Sequence, residues 1–151
     1  MTSDLRPLER SLPIALLRAR EAAMSRFRPI LAPYGITDQQ WRVLRALDAA
    51  PAASVGDLAR RACLLGPSVS RMLRTMEAEG WIARSPDCAD ARRSLITLAP
   101  AGRELVDVIT PASEHAARDL EAALGAERLD ALLRALDELA RTLEDGDEEA
   151  A

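Results

Sequence analysis

Lysine is missing from this chain: all 20 basic residues are arginine. Histidine occurs once, at His115, cysteine twice, at Cys63 and Cys88, and aromatics make up 3%. Each scarcity removes a class of function. A single histidine leaves no His-rich metal site and no His-based triad, and no other nucleophile, base and orienting group can be assembled, so enzyme chemistry is not expected. The two cysteines lack the paired spacing of a metal knuckle, so neither metal nor cofactor is expected. No apolar run approaches the roughly 20 residues of a membrane span, and Met1 to Glu9 has no apolar signal-peptide core. The sequence therefore predicts a cytoplasmic protein without membrane contact.

What remains is an ordinary globular composition, 48% hydrophobic and 29% charged over 151 residues. A chain of that length buries roughly 70% of its unfolded surface, enough for one domain with a real core. The overall charge of −4 hides a segregation. Arg60 to Arg93 carries seven arginines against four acids, a net +3, whereas Asp119 to Glu149 carries eleven acids against three arginines, a net −8. One basic face and one acidic, solvated region suit a nucleic-acid-binding protein. An all-arginine set favours bidentate contacts to phosphate and guanine.

Leu12, Leu16, Ala19, Ala23, Phe27 and Ile30 recur at helical spacing, predicting a first helix from about Leu8 to Leu31. Pro33, Tyr34 and Gly35 end it. Thr37 with Gln40 reads as a capping box for a second helix bearing Trp41, Val43, Leu44 and Leu47, closed by Pro51. Ser54 with Asp57 starts a short third helix reaching Arg61 or Ala62. After Leu64-Leu65-Gly66, Pro67 suits the first position of a fourth, which carries Val69, Met72, Leu73 and Met76 and stops at Gly80. Residues 81–84 and 94–98 read as strands joined by the polar run 85–93. Pro100 opens a long helix that Pro111 should kink and Gly125 interrupts. The last helix repeats Leu129, Leu132, Leu133, Leu136, Leu139 and Leu143, a stripe that must pack against the first helix, partly across a subunit boundary. The residues after Glu144 read as a disordered acidic tail, 145–151.

The third and fourth helices carry the pattern of a helix-turn-helix. Ala59 is small enough for the crossing, and Leu58, Ala62, Leu64, Val69 and Met72 fall at the apolar contacts. Cys63 stands where the turn commonly has glycine, which predicts a looser turn. Ser68, Ser70, Arg71 and Arg74 occupy the free side of the fourth helix, where serine reaches phosphate and arginine reaches guanine. A basic loop beside such a helix can enter the neighbouring minor groove, and Arg92 and Arg93 stand at the hairpin tip. Asp90 would oppose DNA if free and is read as an acceptor that orients Arg92. The fold class follows: mainly α, with a winged helix-turn-helix over 37–98 in a single 1–151 chain, and long dimerisation helices over 8–33 and 99–144.

These residues also carry a family resemblance. Residues 35–44, GITDQQWRVL, resemble the second-helix signature of MarR-family repressors. So do Pro67-Ser68-Val69-Ser70-Arg71, residues 76–84, and the wing Asp90-Ala91-Arg92-Arg93 running to Leu98. Residues 11–25 with Phe27-Arg28-Pro29-Ile30 and Ala62-Cys63-Leu64 are similar, more narrowly, to the branch repressing homoprotocatechuate (4-hydroxyphenylacetate) degradation operons. The resemblance implies a homodimer held by its terminal helices on a palindromic double-stranded operator. It also implies release by a small aromatic acid filling the cleft between dimer region and winged domain.

An aromatic carboxylate needs a cation and a flat apolar wall. Arg20, among Leu16, Ala23 and Phe27, is a candidate cation with a sheltered charge. Ser11 and Arg18 share a neighbouring face, Trp41 can supply the wall, and His115 can assist. The alternative is that Arg18 and Arg20 pair with acids such as Glu21 or Asp107 and that Trp41 is core. Two functional rivals also stand. One is a redox-sensing repressor using Cys63, read as a small core residue, or the exposed Cys88. The other is a helical interaction module with no DNA function.

Overall fold

The computed structural model describes residues 8–65, 68–90 and 92–149. A 3-10 turn, Leu8–Arg10, leads into α1, Leu12–Leu31. Then follow α2 (Asp38–Asp48), β1 (Ala53–Ser54), α3 (Val55–Arg61), α4 (Ser68–Ala78), β2 (Ile82–Pro86), β3 (Ser94–Leu98), α5 (Pro100–Leu124) and α6 (Ala126–Glu149). The chain is mainly helical with one small antiparallel sheet, as the sequence predicts. None of the described helices is long and apolar enough to cross a membrane.

Local chemistry places most boundaries. Thr37 and Gln40 form a reciprocal capping box on α2, and Ser54 and Asp57 form another on α3. Each satisfies two backbone donors that a helix start leaves unpaired. Gly80 adopts φ 73° after α4, with its own N–H bonded to Glu77 O and that of Trp81 to Met76 O. That pair of bonds is the Schellman stop for which glycine is suited.

Three features depart from the sequence reading. The α-helix starts at Leu12 with Ser11 at its N-cap, because Pro13 fits a first turn and lacks the N–H needed further in. Pro111 lies inside α5, which runs on to Leu124. The segment read as a disordered tail from residue 145 is helical to Glu149, continuing α6; Ala150 and Ala151 lie outside the described residues. Finally, β1 has no sequence signature. It exists because Ala53 pairs with Ile96 and Ser54 with Leu95, making a sheet in the order β1-β3-β2.

Contacts divide the chain into two units, residues 1–113 and 114–151. The first holds the core: Leu44, Leu47, Leu58, Leu73, Met76, Ile96 and Ile109 are all fully buried. Leu31, at the end of α1, is buried in the same cluster. The α5 helix approaches the wing closely at Gly102, where a Cβ would lie 2.0 Å from the Trp81 carbonyl oxygen. In the second unit, Leu132, Leu133 and Leu143 of α6 are exposed.

Candidate nucleic-acid interface

The end of α3 is a tight turn. Cys63 N–H bonds to Arg60 O at 3.3 Å and Leu64 N–H to Ala59 O at 2.8 Å, with Cys63 at φ 49°. This is the same Schellman geometry as at Gly80, built with a residue that pays for a left-handed backbone. The expected looseness is therefore absent. The left-handed conformation turns the Cys63 side chain out to solvent, so the reading of Cys63 as a core residue is corrected, while Leu64 behind it is buried. The residues immediately before α4, Gly66 and Pro67, lie outside the described residues.

Val69, Leu73 and Met76 seat α4 on the core. The opposite side leaves Ser68, Ser70, Arg71 and Arg74 exposed together, as their spacing requires. Arg84 on β2 pairs with Glu77 of α4 at 3.5 Å, tying the wing strand to that helix.

The wing is ordered by its own acids. Asp87 Oδ1 accepts the Ala89 N–H at 2.9 Å, and Asp90 Oδ1 accepts the Arg92 N–H at 3.0 Å. The Asp90 carbonyl accepts from Arg93 N–H at 2.9 Å. Asp90 thus orients Arg92 through its backbone and leaves both neighbouring guanidinium groups exposed. Arg92 and Arg93 border a shallow depression with Ser54, Val55, Gly56 and Ser94. Ala91 lies outside the described residues, and Cys88 is exposed.

The residues proposed for an effector are only partly brought together. Trp41 is 7% exposed and belongs to the core, yet its ring edges a cleft of about 430 Å³ with Arg42, Arg45, Ala46, Ala49 and Arg61. Arg20 is not sheltered: it is exposed and pairs with Asp38 at 2.5 Å and Glu21 at 3.0 Å. Glu21 is shared with Arg28, whose hydrogen bond holds that carboxyl below its ordinary value. Arg18 is exposed and Ser11 half-buried, and neither borders the cleft. His115 faces Asp119 at 3.7 Å.

The cation beside the indole is one that the sequence reading missed. Arg45 lies with its guanidinium carbon 5.9 Å from the Trp41 ring centroid and donates to Thr110 Oγ1 at 3.3 Å. Their spacing of four on α2 was the available signal. Among the described residues, no carboxylate pairs with Arg42, Arg45 or Arg61.

Two successive helices, the first ending in a tight turn and the second presenting an exposed basic face, and then a two-stranded hairpin with arginines at its tip, define a winged helix-turn-helix protein. Comparison with known proteins narrows the class. The MarR family profile matches residues 36–94. The homoprotocatechuate degradative operon repressor of Escherichia coli is 43% identical over 128 residues, 85% of this chain and 86% of that one. Among solved structures, NadR in complex with 4-hydroxyphenylacetate is 36% identical with a TM-score of 0.77, covering 93% of this chain and 96% of NadR. The transcriptional repressor CouR bound to a 23-mer DNA duplex is 30% identical with a TM-score of 0.78, covering 91% and 99%. The chain belongs to the MarR family of transcriptional regulators.

Proposed function

We propose that this chain is a homodimeric, cytoplasmic repressor of an aromatic-acid catabolic operon that leaves its operator when a small aromatic carboxylate binds. The observation that carries the DNA-binding part is the common exposure of Ser68, Ser70, Arg71 and Arg74 on α4 beside Arg92 and Arg93 on the wing. In this reading α4 enters a major groove and Arg74 meets a base edge, while the wing arginines straddle the adjacent minor groove. Asp90 serves the interface by ordering Arg92.

Dimerisation is supported by apolar side chains left uncovered on the terminal helices. Leu12, Leu16 and Leu17 are exposed on α1, and Leu132, Leu133 and Leu143 on α6. Exposed leucines at this density mark an association surface. A two-fold dimer would set its two α4 helices about 34 Å apart, one turn of B-DNA. Residues 8–33 and 99–144 are assigned to that dimer and 37–98 to DNA.

For the effector, the Trp41 cleft supplies a flat wall and cations not paired with carboxylates among the described residues. Arg45 takes the role first given to Arg20, whose charge is spent on Asp38 and Glu21. Ser11 and Arg18 remain candidate contributors from a partner subunit. The ligand class is drawn from the relatives: one represses homoprotocatechuate degradation, and another holds 4-hydroxyphenylacetate. A coupling of about 1–3 kcal/mol would weaken operator affinity about 5- to 150-fold.

The test is fluorescence anisotropy on the protein's own upstream promoter DNA, with and without 4-hydroxyphenylacetate or homoprotocatechuate, at two salt concentrations. Tight, salt-sensitive binding relieved by one acid is the expected result. Binding that neither acid disturbs removes the proposed effector, and no binding at low salt removes the repressor in favour of an assembly module. A second reading, redox release, is favoured by the exposure of Cys88 on the wing. It requires peroxide to release DNA from the wild type and not from Cys88→Ser.

A further inference from the structure

Arg42 leaves its own helix and reaches the turn in front of α4. Its Nη1 donates to the carbonyl of Ala62 at 2.6 Å and to that of Cys63 at 3.1 Å. Ala62 is the C-cap of α3, and Cys63 is the one non-glycine residue with positive φ among the described residues. A strained backbone persists only where its surroundings hold it. A cation against the last carbonyls of a helix is such a hold, favoured by hydrogen bonding and by the helix dipole.

The same side chain borders the cleft that contains Trp41, Arg45 and Arg61. Its Nε is buried and has no hydrogen-bond partner among the described residues. The guanidinium is therefore incompletely satisfied where it sits. A carboxylate in the cleft would offer it an opposite full charge and a planar pair of acceptors, which the carbonyls do not. Arg45 is held by Thr110 and the indole, and among the described residues it makes no hydrogen bond to Ala62 or Cys63.

We propose that Arg42 is the positioning residue that couples the Trp41 cleft to α4: it clamps the α3–α4 turn through the Ala62 and Cys63 carbonyls, and an aromatic carboxylate in the cleft draws it off. The ligand half rests on the effector reading above; the clamp does not. A ligand that binds better once the guanidinium is free shifts the turn toward the released form. The end of α3 then loses its fixed geometry without any change in the residues of α4.

Two measurements test the proposal on the full-length protein. Hydrogen exchange at the Cys63 and Leu64 amides reads the turn directly, because those N–H groups close it. In Arg42→Gln without ligand, exchange at both should rise about tenfold, while the α2 core amides keep wild-type protection. Unchanged exchange at Cys63 and Leu64 overturns the clamp. The second readout is the ratio of operator Kd with and without saturating 4-hydroxyphenylacetate. The clamp predicts that this ratio falls from fivefold or more in the wild type to below about twofold in Arg42→Gln. A merely structural residue would weaken binding equally in both conditions and keep the ratio, which would overturn the coupling. Arg42→Lys, which keeps charge but loses the planar donors, provides the same comparison if Arg42→Gln does not fold. A wild type that 4-hydroxyphenylacetate neither releases nor alters in exchange overturns the effector reading and the ligand half together, and ligand-free exchange then decides the clamp alone.

Discussion

On the wing, Asp90 stands two residues before Arg92 and contributes a negative charge where DNA would bring another. Coulomb's law alone predicts that removing it strengthens binding. Its Oδ1, however, accepts the Arg92 N–H, and that bond shapes the tip. Asp90→Ala should therefore weaken operator binding, whereas Asp90→Asn, which keeps an acceptor, should bind at least as tightly as wild type. Stronger binding by Asp90→Ala would show that the charge outweighs the turn. Arg92→Ala should weaken binding to every DNA sequence and lower the salt slope by about one, the loss of one phosphate contact. Arg74→Ala should instead relax preference at one base pair, measured as unequal losses on operator and random duplex. The exposure of Arg74 was legible from sequence, because helix periodicity separates α4's buried Val69, Leu73 and Met76 from its free side. For Arg20, pairing with Glu21 was legible as one alternative, whereas its pairing with Asp38 was not, since that depends on how α1 meets α2.

At the scale of elements, boundaries set by caps and turn glycines could be read directly, and those set by contact could not. Gly102 illustrates the second kind. It lies inside α5, where glycine costs about 1 kcal/mol relative to alanine, so the sequence alone recommends replacing it. The Trp81 carbonyl forbids that, because an alanine Cβ would overlap it. Gly102→Ala should destabilise the protein by about 1–3 kcal/mol, seen as a lower urea midpoint, rather than gain the alanine preference.

The α3 capping box makes a pH prediction. Asp57 is held below the usual carboxylate range first by the Ser54 hydroxyl, then by the Ser54 backbone N–H, with Arg60 adding to both. A folded-state pKa below the unfolded one means that the unfolded chain takes up the proton first. The stabilisation is thus present at neutral pH and is lost as pH falls through the folded value. The drop in urea midpoint between pH 7 and pH 3 should be smaller in Asp57→Asn than in wild type. An equal drop would place the acid sensitivity elsewhere.

For the whole molecule, the decisive property is the unequal use of its apolar surface. Leu31 and the α2 leucines are buried within the chain, whereas the α1 leucines nearer the N-terminus and several of α6 are not. A second copy is the proposed cover. Leu132→Glu combined with Leu133→Glu should give a monomer by light scattering and lose tight operator binding, since each subunit would then grip one half-site. A double variant that remains dimeric would move the interface away from that part of α6. Charge is segregated in the same way, with acids concentrated over 119–149 and arginines over 60–93.

The sequence by itself determined whatever depends on neighbours within a turn or two. It set the capping boxes at Thr37 and Ser54, the stop at Gly80, the span of β3 and the two faces of α4. These are local hydrogen-bond and periodicity rules, so they survive without knowledge of the fold. Tertiary structure decided the pairing of Ala53 with Ile96, the forced glycine at residue 102, the outward turn of Cys63, and the reach of Arg42 to the α3 carbonyls. Each of these depends on two segments meeting in space, and no spacing along the chain encodes which carbonyl a long arginine will find.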